Sequence, residues 1–326
     1  MTTTHWQPSA SLEQIRARAD LLARIRAFFH RKAVMEVETP ICSRYGNTDP
    51  SIESFTTHYT GPGAPSGRPL YLHTSPEFPM KRLLAAGSGP IYQICKVFRN
   101  GEAGHLHNPE FTMLEWYRPG FDHHQLIEEV AELVNSLLPE PRTVQTMSYA
   151  ALFEEWLEIN PHDASIKELQ SCAIKNGIES ARQLDMPNRD SWLDLLLTHI
   201  IEPSLGRETL FFLYDYPASQ ASLAKIRGGS PAVAERFELY IDGVELANGF
   251  HELTNAVSQR ERFEKELVQR KILGMPLPPM DEALLGSLTA GMPDCAGVAL
   301  GVDRLLMLTV TIQHIQQTLS FPISNA

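Results

Sequence analysis

Three stretches of this sequence have residue types suited to a phosphorylated, charged substrate. In Val97-Phe98-Arg99-Asn100-Gly101-Glu102 an arginine stands where a strand-like run ends and a glycine-containing loop opens. Guanidinium offers a planar fork of donors for phosphate oxygens. The stretch alone equally fits a surface arginine in a hairpin turn. In Gly297-Val298-Ala299-Leu300-Gly301-Val302-Asp303-Arg304 an apolar run turns through glycine into a helix-like segment. Its glycines permit close backbone approach of a ligand, and Arg304 can reach phosphate or a base. Plain strand–helix packing with an Asp–Arg pair is the bland alternative.

The third stretch is Phe237-Glu238-Leu239-Tyr240-Ile241-Asp242-Gly243-Val244-Glu245. Asp-Gly is a strong two-residue hairpin signal. It pairs Ile241 with Val244 and Tyr240 with Glu245, which sets Glu238 diagonal to Glu245 on one face. Diagonal Cβ atoms lie roughly 7–8 Å apart or less, close enough for two carboxylates to share Mg²⁺. Two solvated glutamates on an exposed hairpin would have the same sequence.

Glu77 in Ser75-Pro76-Glu77, Tyr117 and Glu252 are candidates for holding an ammonium group, because a buried carboxylate calls for a cation. Read singly, each fits an ordinary exposed group as well. His105, His107, His123 and His124 cluster in sequence, but no Cys or Asp partner lies at a usual metal-ligand spacing. No Ser-His-Asp or Cys-His pattern is present.

Regular elements must position these groups. Ser11 and Gln14 form a capping-box pattern, and apolar residues from Leu12 to Phe29 recur at helical spacing. Val34–Thr39 reads as a strand closed by Pro40. Residues 61–67 read as a loop, with strand sequence resuming at Leu70-Tyr71-Leu72. Ile91–Phe98 and Phe111–Tyr117 read as a long-looped antiparallel hairpin. Asp122 and Gln125 cap a helix that buries Leu126, Ile127, Val130, Leu133, Val134 and Leu137. Helical stretches over 148–157, 165–176 and 190–202 form an inserted region, about 139–208, within one domain covering 1–326. Strands follow at Leu210–Tyr214 and Phe237–Ile241, then a charged helix over Thr254–Leu273. Glu261–Lys265 and Glu266–Arg270 pair along that helix at i,i+4. Val298–Leu300 is a short strand running into a helix from Val302. The pattern is α+β, an antiparallel sheet flanked by helices.

The 326 residues are 43% hydrophobic and 21% charged, which suits a globular chain with a real core. The formal net charge of -11 argues against a general nucleic-acid binder, which needs a basic surface. Met1–Pro8 lacks an apolar signal core, and no run reaches the roughly 18 apolar residues of a membrane span. Four scattered cysteines without a CxxC pair fit reduced thiols and a cytoplasmic setting.

In order along the chain, these stretches resemble the class II aminoacyl-tRNA synthetase catalytic domain, closest to lysyl-tRNA synthetase. Val37-Glu38-Thr39-Pro40 resembles the dimer-forming first motif. Phe98-Arg99 through His107-Asn108-Pro109-Glu110-Phe111-Thr112 to Glu115 resembles the second, and Gly297–Arg304 the third. Ser75-Pro76-Glu77 followed by Lys81-Arg82-Leu83, and Glu245-x-x-Asn248-Gly249-x-x-Glu252-Leu253, resemble lysine-type segments. The resemblance runs from about residue 11 to the end. Three departures stand out: the synthetase's N-terminal anticodon-reading OB-fold is expected to be missing, Ala299 stands where a glycine is usual, and Gly101 stands where a glutamate is usual, with Glu102 next.

Those departures resemble the elongation factor P–(R)-β-lysine ligase family. The resemblance implies formation of an aminoacyl-adenylate from ATP and (R)-β-lysine with Mg²⁺, then transfer to a lysine of elongation factor P. It implies a homodimer through residues 37–40, with neither stable tRNA binding nor membrane attachment. Arg99 and Arg304 would be catalytic, and ATP would lie against Arg99, Asn100, Gly101, Glu102, Asn108, Phe111, Glu245, Leu246, Gly301 and Arg304. The amino acid would meet Ser75, Pro76, Glu77, Tyr117, Asn248, Glu252 and Ala299, and the metal Glu238 and Glu245. A truncated lysyl-tRNA synthetase that charges tRNA is the alternative enzyme. A non-catalytic lysine or ATP sensor is the alternative from another class.

Overall fold

A computed structural model describes residues 6–326, so the first residues of the N-terminal stretch lie outside the described part. The chain divides into two compact units. One comprises residues 1–120, 136–139 and 254–326, the other 121–135 and 140–253.

The first unit opens with α1 (Leu12–Arg31). Ser11 caps it as the sequence predicts: Ser11 Oγ accepts from the Gln14 backbone, and Gln14 Oε1 accepts from the Ser11 backbone. There follow β1 (Met35–Glu36), β2 (Cys42–Ser43), β3 (Thr56–Tyr59), β4 (Arg68–Leu72), α2 (Glu77–Ala85), β5 (Ile91–Phe98) and β6 (Glu110–Pro119). The strand expected over Val34–Thr39 shrinks to the two exposed residues of β1, which run parallel to β5. A pairing of two residues leaves the rest of that stretch outside the ladder. The hairpin of β5 and β6 is the long-looped pair read from the sequence, in register from Ile91–Tyr117 to Phe98–Glu110. Phe29 of α1 stacks on Tyr92 at 4.4 Å and meets Trp116 edge-on at 5.4 Å, which anchors the helix to this sheet.

The second unit holds most of α3 (His123–Leu137), with Asp122 and Gln125 exchanging the expected capping bonds. Then come β7 (Thr143–Ser148), α4 (Tyr149–Leu157), α5 (Ile166–Lys175), α6 (Arg189–Leu196), β8 (Thr209–Pro217), β9 (Ile226–Arg227), β10 (Val233–Ile241) and β11 (Val244–His251). The three helices fall where periodicity placed them, and α6 runs on through one π turn. Strand β7 was not expected. It runs parallel to β8, so an antiparallel description fails at this edge and at β1. Tyr149, Leu152, Phe153, Trp192, Leu196 and Phe211 are buried together in this unit's core.

The chain returns to the first unit with α7 (Ala256–Ile272), α8 (Glu282–Gly291), β12 (Cys295–Gly301) and α9 (Val302–Thr309). Helix α8 packs on α2 and α7, and β12 lies antiparallel to β6. Among the described residues, no helix is long and apolar enough to cross a membrane.

Candidate active site

In the first unit, Arg99 leaves the end of β5 and its backbone N–H donates to Pro109 O at 2.9 Å, which closes the loop. Gly101 has φ +84°, a conformation that side chains resist, and no atom crowds the position where its Cβ would stand. The turn conformation, and not lack of space, therefore calls for glycine here. The next residue, Glu102, lies 3.7 Å from Arg99, so an acid does face the arginine from one place along. The Arg99 guanidinium carbon sits 5.2 Å from the Phe111 ring centre, a cation–π contact. Asn100 sits on the exposed turn, its N–H donating to Glu53 O at 2.8 Å.

Arg304 belongs to the first turn of α9. Its Nη2 lies 2.7 Å from His107 Nε2, and its Nε donates to Leu106 O at 3.4 Å. Burial lowers the His107 pKa, and the charges of Arg304 and Arg99 act in the same direction. One neutral imidazole thus stands within the field of both arginines. His107 lies within the stretch that resembles the second motif, but the sequence pattern assigns it no role beside the arginines. Behind Arg304, Asp303 is buried, accepts from the Thr112 N–H at 2.6 Å and pairs with Arg18, which fixes the start of α9. A Cβ on Gly301 would touch only the Arg304 side chain, at ordinary contact distances. Asn108 is buried: its amide donates to Glu110 O at 2.6 Å and accepts from Ile323 N–H at 3.2 Å. Its side chain fastens the loop to the C-terminal segment.

The amino-acid-binding candidates of this unit, Ser75 and Tyr117 among them, gather around a further acid, Glu115. Glu115 is 2% exposed and accepts from Ser75 Oγ and the Tyr117 hydroxyl, each at 2.6 Å. The Glu77 N–H donates to Ser75 Oγ at 2.9 Å, and Pro76 caps α2. Glu77 itself pairs with buried Lys81 at 2.5 Å. Burial, followed by the charge of Glu77, pushes the Glu115 pKa up to about 7. Ala299 of β12 lies directly opposite Glu115 in the ladder, and Gly297 opposite Tyr117. The extra methyl of Ala299 therefore stands beside the acid. A cavity of about 380 Å³ adjoins the Ser75–Glu77 turn, with Arg44, Tyr45, Asn47 and Arg82 also in its walls.

In the second unit the Asp242–Gly243 turn has φ values of +51° and +76°, both positive as such hairpins require. It pairs Tyr240 with Glu245 and Ile241 with Val244, as expected. A bulge then shifts the register, so Leu239 faces Ala247 and Glu238 faces Asn248. The inserted residue is Leu246, whose side chain is buried. The simple diagonal relation of Glu238 to Glu245 is replaced by this bulged one. Glu238 accepts from Tyr216 at 2.6 Å, Tyr240 at 2.5 Å and Asn248 Nδ2 at 3.1 Å, and it pairs with half-buried Arg236. Glu202 is a further acid here, accepting from the Tyr240 hydroxyl at 3.0 Å. Burial pushes its pKa up to about 7, with the charges of Glu238 and Glu245 adding to the effect. Glu252 is buried at the isolated bridge to Ala224.

Three carboxylates whose charges reach one another are the donor set a hard, oxygen-preferring cation needs, so these residues fit Mg²⁺. The four lone-pair positions of Glu238 are already met by four donors. Direct coordination by Glu238 therefore requires one donor to move aside.

The family described as "tRNA synthetases class II (D, K and N)" matches residues 4–325. Among curated relatives, the elongation factor P–(R)-β-lysine ligase of Vibrio parahaemolyticus is 50% identical over 323 residues, 99% of each chain. The ligase of the same name from Pasteurella multocida is 48% identical over 322 residues, 99% of this chain and 98% of its own. That of Photorhabdus laumondii is 48% identical over 324 residues, 99% of each chain. With the paired arginines on one unit and the acid cluster on the other, the match over nearly the whole chain places this protein in the class II tRNA synthetase family of the D, K and N type.

Proposed function

We propose that the protein is an ATP-dependent ligase that activates (R)-β-lysine and attaches it to a lysine side chain of elongation factor P. The observation that carries this reading is Glu115, a buried acid held by neutral hydroxyls, which needs the cation that an amino acid of lysine type brings. The names of the relatives and their full-length identity supply the acceptor.

In the first step an oxygen of the amino-acid carboxylate attacks the α-phosphorus of ATP. The bond to the bridging oxygen breaks and pyrophosphate leaves. Arg99 aligns the carboxylate and the α-phosphate, and Arg304 takes the γ-phosphate while its plane lies on adenine. Phe111 covers the other adenine face, so its present contact with Arg99 keeps the arginine close to its task. Such alignment and charge stabilisation account for most of the rate in chemistry of this kind. Neutral His107 can accept from Arg304 Nη2 and so holds that guanidinium in place without repelling it. Asn100, Gly101, Glu102 and Asn108 shape the loop over the nucleotide, and Leu246 and Gly301 contribute backbone. Mg²⁺, held by Glu238 and Glu245, would neutralise the departing phosphates. Glu252 and Tyr117 take the distal ammonium and Glu77 the amine near the carboxylate, and Glu115, bonded to Tyr117, is a further charged acceptor for the distal ammonium. Asn248 borders the carboxylate.

In the second step the neutral ε-amine of the acceptor lysine attacks the adenylate carbonyl. The carbon–oxygen bond to AMP breaks and the nitrogen loses a proton. The net charge of -11 favours a protein acceptor over the polyanion of tRNA. Exposed Met35 and Ile41 flank the 37–40 segment and suit burial against a second copy, and the need for ATP suits a cytoplasmic setting.

The test is pyrophosphate release from Mg-ATP with (R)-β-lysine or α-lysine, with elongation factor P or bulk tRNA present. Preference for the β isomer with label on the protein is expected. Preference for the α isomer with label on tRNA overturns the reading. Arg99→Lys removes the bidentate fork and should slow release by about 10²–10³-fold, the usual effect of losing one preorganised donor.

A further inference from the structure

His123, Glu235 and His251 have no part in the reaction above. All three belong to the second unit, are 1%, 8% and 7% exposed, and come from distant points in the sequence. One ligand atom from each lies within 4.8 Å of the other two.

The local backbone is shaped to bring them together. Opposite β8, strand β10 carries a bulge in which Glu235 and Arg236 face the single residue Asp215. Asp215 itself has φ +57°, a costly conformation for this residue. Bulges of this kind re-aim side chains. Asp215 Oδ1 lies 3.3 Å from His123 Nε2. Arg227 pairs with Asp215 at 2.5 Å and donates to Glu235 Oε1 at 3.1 Å, while Glu235 Oε2 lies 2.7 Å from His251 Nδ1.

Ion-pair contacts engage Glu235, His251 and Arg227, whereas His123 Nδ1 is buried without a hydrogen-bond partner among the described residues. In the tautomer whose Nε2–H faces Asp215, the lone pair lies on Nδ1. A carboxylate behind a histidine is the usual second layer of a metal site, where it fixes the tautomer and raises basicity. The two carboxylates and Arg227 leave one net negative charge beside the two imidazoles. Two imidazoles and a carboxylate suit zinc-type ions and do not suit Mg²⁺ or Ca²⁺, which prefer oxygen. Three protein ligands leave one position for water.

We propose that His123, Glu235 and His251 form a binding site for one Zn²⁺-type ion, distinct from the Mg²⁺ acids, that ties the start of α3 to the β10–β11 hairpin.

The test uses the full chain, stripped with chelator and kept in excess Mg²⁺ so that the oxygen sites are filled, then titrated with Zn²⁺ or Co²⁺. The expected result is one equivalent taken up tightly, a higher melting temperature, and the intense visible bands of four-coordinate Co²⁺. His123→Gln should weaken uptake at least tenfold, and Asp215→Asn by about 10–100-fold, as loss of a supporting carboxylate usually does. No tight equivalent in the unmodified protein overturns the proposal. So does equal uptake by folded His123→Gln, which would mark binding elsewhere on the surface. If that variant does not fold, the Co²⁺ spectrum of the unmodified protein decides: weak octahedral bands overturn the proposal.

Discussion

Glu115 in the first unit and Glu238 in the second are both buried carboxylates on antiparallel strands, yet their surroundings differ in one respect. Glu238 is met by two tyrosine hydroxyls, an asparagine amide and the Arg236 guanidinium. Glu115 accepts from two hydroxyls; the charge of Glu77 raises its pKa, and that of Lys81, itself paired with Glu77, lowers it by less. The chain compensates Glu238 by a directly paired cation, whereas the cation acting on Glu115, Lys81, is shared with Glu77. A buried acid with an internal cation is part of the scaffold. Two acids that share one cation, as Glu77 and Glu115 share Lys81, leave room for a charged ligand.

The largest expected effect tests the internal pair. Arg236→Leu leaves Glu238 buried and unpaired, which should cost about 3–5 kcal/mol of stability. Chemical unfolding measures this, and a double variant with Glu238→Gln should recover much of the loss. A midpoint equal to that of the unmodified protein would show that Glu238 is not compensated by Arg236.

Glu115→Gln should behave in the opposite way. Loss of a charged hydrogen-bonding partner for the amino acid's ammonium should cost about 1.5–3 kcal/mol in binding, roughly a 10–150-fold rise in KM. Stability should not fall. The folded pKa of Glu115 is raised, so the free protein loses stability as pH rises from the unfolded value through about 7. Glutamine removes that loss, and thermal melts at pH 5 and pH 8 should lie closer together in the variant. A variant that unfolds at pH 8 would contradict the comparison.

The smallest effect belongs to Tyr117→Phe. It removes one donor to Glu115 Oε1, worth about 1 kcal/mol, so KM should rise about fivefold. The acid should then titrate higher, and the KM-against-pH curve should move upward in pH. An unmoved curve would exclude Tyr117 as a determinant of Glu115 ionisation.

Features carried by neighbours in sequence were legible before the structure. Ser11 with Gln14, Asp122 with Gln125, and Asp242-Gly243 each specify a local geometry within a few residues, and each forms as expected. The long hairpin was legible for a similar reason, since two apolar strand-like runs flank a loop containing Gly101, Gly104 and Pro109. Features that depend on the whole sheet were not. The bulge at Leu246 changes which residue faces Glu238, and nothing in the local pattern marks it. Strand β7 is exposed over Thr143–Thr146, so it lacks the apolar alternation that would have announced it. Glu202 and Glu115 acquire their raised pKa values from burial, which no short stretch reveals. His123 looked like part of a histidine run with His124. Its partners Glu235 and His251 become neighbours only through the packing of α3 against a hairpin far along the chain.

The most direct test of the account is calorimetric titration of the protein with (R)-β-lysine at pH 7, in two buffers of different ionisation enthalpy. If the ligand's cation holds Glu115 ionised, binding should release about half a proton, because an acid with a pKa of about 7 is half protonated beforehand. Glu115→Gln should release none. Equal proton release by both proteins, or none by either, would contradict the claim that Glu115 is the acid reserved for the substrate.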